Sequence, residues 1–299
     1  MTSETITADV AGTWNLGDLN VNRIGLGAMR LTGSAAFDLG APSDRGRALS
    51  VLRRAVDLGV NHIDTAAFYF SALRSANELI NSALAPYPDD LVIATKVGPV
   101  RDASGEWLPW PTPERLRGQV EENLRQLGRD HLDLVYLRAM RPGSIAEHFG
   151  ALARLRDDGL IRHLGLSSIR PDQLAEAREI APVVAVQNRY GVGAARHRRA
   201  FARQCGEQGV AFVPFFAIAG AGREAGAGGT DPHEVLAVAR AHGATPAQVR
   251  LAWTMRQGPH MLAIPGTGNP DHLVANIAAG ALRLSEEEVA LIDSVQVDE

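Results

Sequence analysis

Eight short apolar runs, separated by amphipathic stretches, constrain this chain more than any other feature. They fall at 23–27, 62–66, 91–97, 132–138, 161–167, 183–189, 211–217 and 261–267. Each is bounded by turn residues and apolar almost throughout, as strands buried on both faces of a parallel sheet must be. Helix-entry signals lie between them. Thr112-Pro113 and Thr245-Pro246 place a capping hydroxyl before a proline suited to the first helical turn. Ser144 with Glu147, and Ser285 with Glu288, read as capping boxes. Ser43 or Asp44 caps a first helix whose apolar face runs through Ala48, Val51, Leu52, Ala55 and Val56 to a stop at Gly59. Strands alternating with helices in this way predict an α/β protein, a (β/α)8 TIM barrel, as a single domain over 1–299 with its core at about 20–297. The competing doubly wound sheet would want G-x-G-x-x-G after the first strand. Gly25-Leu-Gly27-Ala-Met-Arg30 lacks the third glycine.

Composition narrows the function class. With 299 residues the chain is long enough for two domains of ~150 residues, but no Pro/Ser-rich linker or charge block divides it. Thirty basic against 34 acidic residues leave a net charge of −4, so no general attraction for nucleic acid or anionic membrane is expected. Arg196-His-Arg-Arg199 reads as a solvated helix face. The lone Cys205 excludes an internal disulfide and fits a reducing, cytoplasmic setting. No apolar run approaches the ~20 residues of a membrane span, and the first residues lack the basic and apolar regions of a signal peptide. The nine histidines form no set with metal-ligand spacing, so no metal is expected. The low-complexity stretch 219–230 reads equally as a lid over a ligand or as a flexible connection.

Reactive groups of a barrel gather at the carboxyl ends of its strands. That rule selects Asp64, with Tyr69 five residues on, then Lys96, Arg138, Ser167, Ser168, Gln187, Phe215 and the 265–268 turn. An ammonium emerging from the apolar run before Lys96 needs a partner, and Asp64 on the adjacent strand is the natural one. A cation beside a phenol favours phenolate, so such a tyrosine can give a proton to a carbonyl oxygen. The same spacing also suits a core ion pair with a packing tyrosine.

Residues 59–69 (GVNHIDTAAFY), 76–80 (ANELI), 94–98 (ATKVG), 165–168 (GLSS), 186–190 (VQNRY) and 264–267 (IPGT) together resemble the aldo-keto reductase superfamily, with motifs in order from about residue 20 to residue 297. Residues 27–29 and 86–92 look most like a bacterial branch that includes pyridoxal-reductase-like members. The resemblance implies an NAD(P)H-dependent oxidoreductase that reduces an aldehyde or ketone. Tyr69 would be general acid, Lys96 its activator and Asp64 the partner of Lys96. The family's histidine at the end of the fourth strand is replaced by Arg138. Arginine can donate to a carbonyl oxygen or hold an anionic substituent, but it stays charged and relays no proton.

Ser167, Ser168 and Gln187 match positions that hold the nicotinamide carboxamide, and the family more often has asparagine where Ser168 stands. Phe215 takes the place of the stacking ring. Gly266, Thr267, His272 and Asn276 match the adenosine-phosphate end, where 2′-phosphate-selective members carry Lys and Arg in place of Gly266 and His272. NADPH, the family default, is the expected cofactor, and the missing Lys and Arg leave NADH open as an alternative. Met29, Phe70, Trp107, Trp110 and Tyr190 are expected to shape the pocket for a small-molecule carbonyl. Two other classes stay open: a nucleotide-binding regulatory protein of the same fold, and a Schiff-base lyase using Lys96. No motif specifies an oligomeric state.

Overall fold

A computed structural model of the chain describes residues 6–33, 39–218 and 231–295. Seven of the apolar runs form one parallel sheet in sequence order: β3 (Leu26–Gly27), β4 (His62–Asp64), β5 (Val92–Val97), β6 (Leu132–Arg138), β7 (Ile161–Ser167), β8 (Ala185–Gln187) and β9 (Ala211–Phe212). The eighth run, 261–267, forms no laddered strand, yet it occupies the eighth position. Phe212 bridges Met261 on one side, while Ile24 bridges Ala263 and Gly27 bridges Gly266 on the other. The ring therefore closes through single bridges at its first and last staves. Closure needs close backbone approach: a Cβ on Gly27 would lie 2.7 Å from the Ile264 carbonyl oxygen.

Before the barrel comes an antiparallel hairpin absent from the sequence-based expectation, β1 (Thr13–Leu16) and β2 (Leu19–Asn22). Leu16 and Val21 point from it into the barrel interior, joining Val92, Leu134, Tyr136 and Leu262 in a core cluster of their own. Tyr136 fits there because Gly165 opposite has no side chain; a Cβ would stand 2.6 Å from its ring. A larger aliphatic layer lies between strands and helices.

The helices are α1 (Arg45–Asp57), α2 (Ala76–Leu84), α3 (Leu116–Leu127), α4 (Ala146–Asp157), α5 (Pro171–Arg178), α6 (Arg196–Glu207), α7 (His233–Ala241), α8 (Pro246–Arg256), α9 (Pro270–Ala278) and α10 (Glu286–Asp293). Asp44 caps α1 by accepting the Arg47 N–H at 2.7 Å. The boxes at Thr245 and Ser285 form as expected. Two signals resolve differently. Thr112 makes no side-chain cap, and Pro113 opens a 3-10 turn that leads into α3. Ser144 makes no box with Glu147; its hydroxyl donates to Glu176 of α5 at 2.5 Å, and the same carboxylate accepts the Ile145 N–H at 2.8 Å. Cys205 is buried in α6, and burial pushes its thiol up to about 12. Among the described residues no helix is long and apolar enough to cross a membrane. The 219–230 stretch lies outside them.

Candidate active site

Asp64 ends β4 and Lys96 lies near the end of β5, so parallel pairing delivers both to one rim of the barrel. Lys96 Nζ donates to Asp64 Oδ1 at 2.6 Å and to the Thr65 carbonyl at 2.9 Å. Asp64 Oδ2 accepts from Gln187 Nε2 at 2.7 Å, so both carboxylate oxygens are engaged. All three residues are buried. A buried pair of this kind persists only when both charges are compensated, and here each has a partner plus a further hydrogen bond. Tyr69 sits in the turn after β4, its backbone carbonyl accepting from the first residue of α2, and its ring lies 4.8 Å from the Lys96 ammonium.

Tyr69, Asp64 and Gln187 face a cavity of about 240 Å³, whose wall also includes Arg138, Met29 and Phe215. Arg138, at the end of β6, makes no ion pair among the described residues, so its guanidinium is available to a carbonyl oxygen or an anion. Phe215 meets Phe216 edge-on at 4.9 Å. Phe216 has φ +66°, a strained value for a bulky residue and one that accumulates where structure serves a site.

The cavity continues past Arg30 and Gly266 into a second of about 550 Å³. Thr267 and His272 border it from the 261–267 run and α9, and Arg47 borders it from α1. Asp44 is there too, its carboxylate holding the Arg47 backbone N–H. Neither Arg30 nor Arg47 was singled out from sequence, because one sits in a failed glycine motif and the other in an ordinary helix turn. Asn269, which caps α9 by accepting the Asp271 N–H, also lines this space.

The other nominated residues divide. Ser167 is buried, its hydroxyl has no partner among the described residues, and it is not part of the cavity wall. Ser168 has φ +59°, a conformation that asparagine tolerates better than most residues, and it borders a small recess with Phe215. Asn276 is buried in α9. Phe70 and Trp110 line a separate cavity of about 650 Å³ that also reaches Lys96. Trp110 is stacked on His148 at 3.9 Å, with the Arg141 guanidinium 5.0 Å from its ring. Trp107 lines neither cavity; it is exposed and edge-on to Phe68. Tyr190 does not reach the cavity: it is stacked on Trp253 in the core, because the chain turns inward after β8. Among the described residues no group of His, Cys, Asp and Glu could hold a metal.

A flat ring, a wall that passes Gly27 and Gly266 and arginines at the far end suit an elongated dinucleotide. Comparison with known proteins agrees. The Aldo/keto reductase family model matches residues 23–297. Pyridoxine 4-dehydrogenase of Escherichia coli (strain K12) is 44% identical over 295 residues, covering 95% of this chain and 98% of that protein. An aldo/keto reductase from Klebsiella pneumoniae, solved with NADP and acetate, is 28% identical with TM-score 0.74, covering 92% of this chain and 91% of that one. A glycerol dehydrogenase from Gluconobacter oxydans shares the fold at TM-score 0.80 and 21% identity, covering 95% of this chain and 94% of that one.

Proposed function

We infer that this chain, which belongs to the aldo/keto reductase family, is an NADPH-dependent carbonyl reductase in which Tyr69 gives the proton that completes the alcohol. The observation that carries this reading is the compensated Asp64–Lys96 pair with the Tyr69 ring against its ammonium, Asp64 and Tyr69 both lining one cavity. NADPH supplies hydride when bound. The chain's own residues orient the substrate and move the proton. Tyr69 donates its phenolic proton to the carbonyl oxygen, and the Lys96 ammonium stabilises the phenolate left behind. Asp64 keeps that ammonium at the rim. Arg138 offers N–H donors to the same oxygen or to an acidic substituent of the substrate, a role that its lack of an ion pair supports. Phe215 provides a flat wall for the nicotinamide, and Ser167 and Gln187 provide polar groups for its carboxamide. A Schiff base on Lys96 fits poorly, because it would give up the Asp64 ion pair and the Thr65 hydrogen bond that hold the buried amine.

The name of the Escherichia coli relative makes pyridoxal the first aldehyde to try. The test is fluorescence titration with NADPH, followed by an aldehyde and ketone panel monitored by cofactor absorbance. Tyr69→Phe is expected to bind NADPH normally and to lose roughly 10²-fold or more in kcat. Arg138→Ala is expected to raise KM more for aldehydes bearing an anionic group than for neutral ones. If NADPH fails to bind, or Tyr69→Phe turns over like the parent, the reading is wrong. Binding with no turnover across the panel would favour a nucleotide-binding regulatory role.

A further inference from the structure

Thr65 follows Asp64, and Thr95 precedes Lys96. Strand alternation turns both threonine side chains away from the cavity, into the layer between sheet and helices. That layer is mostly apolar, yet Thr65 and Thr95 meet two asparagines there, Asn77 of α2 and Asn123 of α3, and all four are fully buried. Thr65 Oγ1 donates to Asn77 Oδ1 at 2.8 Å, and Thr95 Oγ1 donates to Asn123 Oδ1 at 2.6 Å. Asn77 Nδ2 joins the two halves, donating to Asn123 Oδ1 at 2.9 Å and to Gln126 Oε1 at 3.0 Å. Asn123 Nδ2 donates to the Gln119 carbonyl at 2.8 Å, and Gln119 Oε1 accepts the Gly98 N–H at 2.7 Å. Gln126 Nε2 ends the chain on Glu122 Oε1 at 2.6 Å. In α3 these residues fall at 119, 122, 123 and 126, a polar seam at the helical repeat.

Burying four polar side chains costs stability unless every group is bonded. Bonded throughout, such a network rigidifies what it touches. It touches the residues beside Asp64 and Lys96, and Thr65 also presents the carbonyl that takes the second Lys96 hydrogen bond. We propose that Asn77, acting with Asn123, is the positioning residue of the Lys96 ammonium: by clamping Thr65 and Thr95 it holds β4 and β5 at the offset that aims Lys96 at Asp64 and Tyr69. The proposal rests on the reading of Tyr69 and Lys96 as the proton-delivering pair.

The test uses Thr65→Val, which keeps the shape and removes the hydroxyl, Thr65→Ser, which keeps the hydroxyl and removes a methyl, and Asn77→Leu. For each, kcat, KM, the pH profile of kcat/KM and the melting temperature are measured with NADPH and the fastest aldehyde of the panel. Thr65→Val and Asn77→Leu are expected to lose about tenfold in kcat, with the NADPH KM within about twofold and the alkaline limb of the pH profile displaced. Thr65→Ser is expected to recover kcat to within about twofold of the parent even if it melts lower. If kcat and profile are unchanged in Thr65→Val, or Thr65→Ser loses as much kcat as Thr65→Val, the network is only a packing element and the proposal is overturned. If Asn77→Leu does not fold, the Thr65 pair decides alone. Full turnover in Tyr69→Phe and Lys96→Met would overturn the underlying reading. Loss of turnover in those two, with Thr65→Val unaffected, would overturn only the positioning role.

Discussion

His62, the residue two before Asp64, shows how much a single buried ring can set. It lies against Gly25 so closely that a Cβ there would stand 2.3 Å from it. Its Nδ1 is 3.2 Å from the Asn22 carbonyl oxygen, and its Nε2 has no partner. Burial holds the ring's pKa down to about 4, against the partial pull of Asp64 in the other direction. The folded protein therefore keeps this histidine neutral where an unfolded chain would protonate it. Between about 6.5 and 4 the unfolded state binds more protons, so stability falls as pH falls through that window. The loss should approach about 3 kcal/mol by pH 4. Urea unfolding at pH 7 and pH 5 checks this, and His62→Gln should flatten the difference. An equal slope in His62→Gln would assign the acid sensitivity to other groups.

At the scale of elements, the runs at 132–138 and 161–167 were legible to the residue: the first is buried at six consecutive positions, and the second is buried at Ile161 and from Leu164 to Ser167. Runs at the seam were less so. Residues 261–267 have the composition of a strand, but their pairing is limited to isolated bridges where the ring closes. The hairpin before β3 escaped notice because its two four-residue strands bury little beyond Leu16 and Val21. Ser144 misled for another reason: its partner is a carboxylate from a different helix, and no local spacing encodes that. The seam itself is testable. Gly27→Ala would force its Cβ against the Ile264 carbonyl, so it is expected to destabilise by about 1–3 kcal/mol. It should also weaken NADPH binding more than a surface substitution of equal thermal effect. Unchanged melting and unchanged affinity together would mean that the closure relaxes freely.

Across the whole molecule, two cavities joined at Arg30 and Gly266 run from Tyr69 to α1 and α9. Asp64, Arg138 and Gln187, on the wall at the Tyr69 end, were legible because they close β4, β6 and β8. Tyr190, expected among the loop residues that shape the pocket, is instead buried against Trp253 in the core. The far end was legible only in part. His272 and Thr267 follow from the turn, whereas Arg47 reaches the cleft only because α1 docks beside the 261–267 run. That placement puts a cation beside Thr267 and His272. Arg47→Glu is expected to weaken NADPH binding at least tenfold and NADH binding little, as charge recognition of a 2′-phosphate requires. Parallel titrations with both nucleotides decide it, and equal weakening would remove Arg47 from phosphate recognition.

The seam also sets a schedule. The Arg23 side chain donates to the Gly258 and Met261 carbonyls, and Ile24 has its parallel partner at Ala263. A ribosome adding roughly 5–20 residues per second spends some ten to fifty seconds between making the first of these partners and the last. Throughout that interval β3 has β4 on one side only, and its other side waits for the 261–267 run. During biosynthesis, then, this ring remains an open sheet with unpaired edges until residue 263 has been made, which leaves the nascent chain more exposed to edge-to-edge association than the closed barrel.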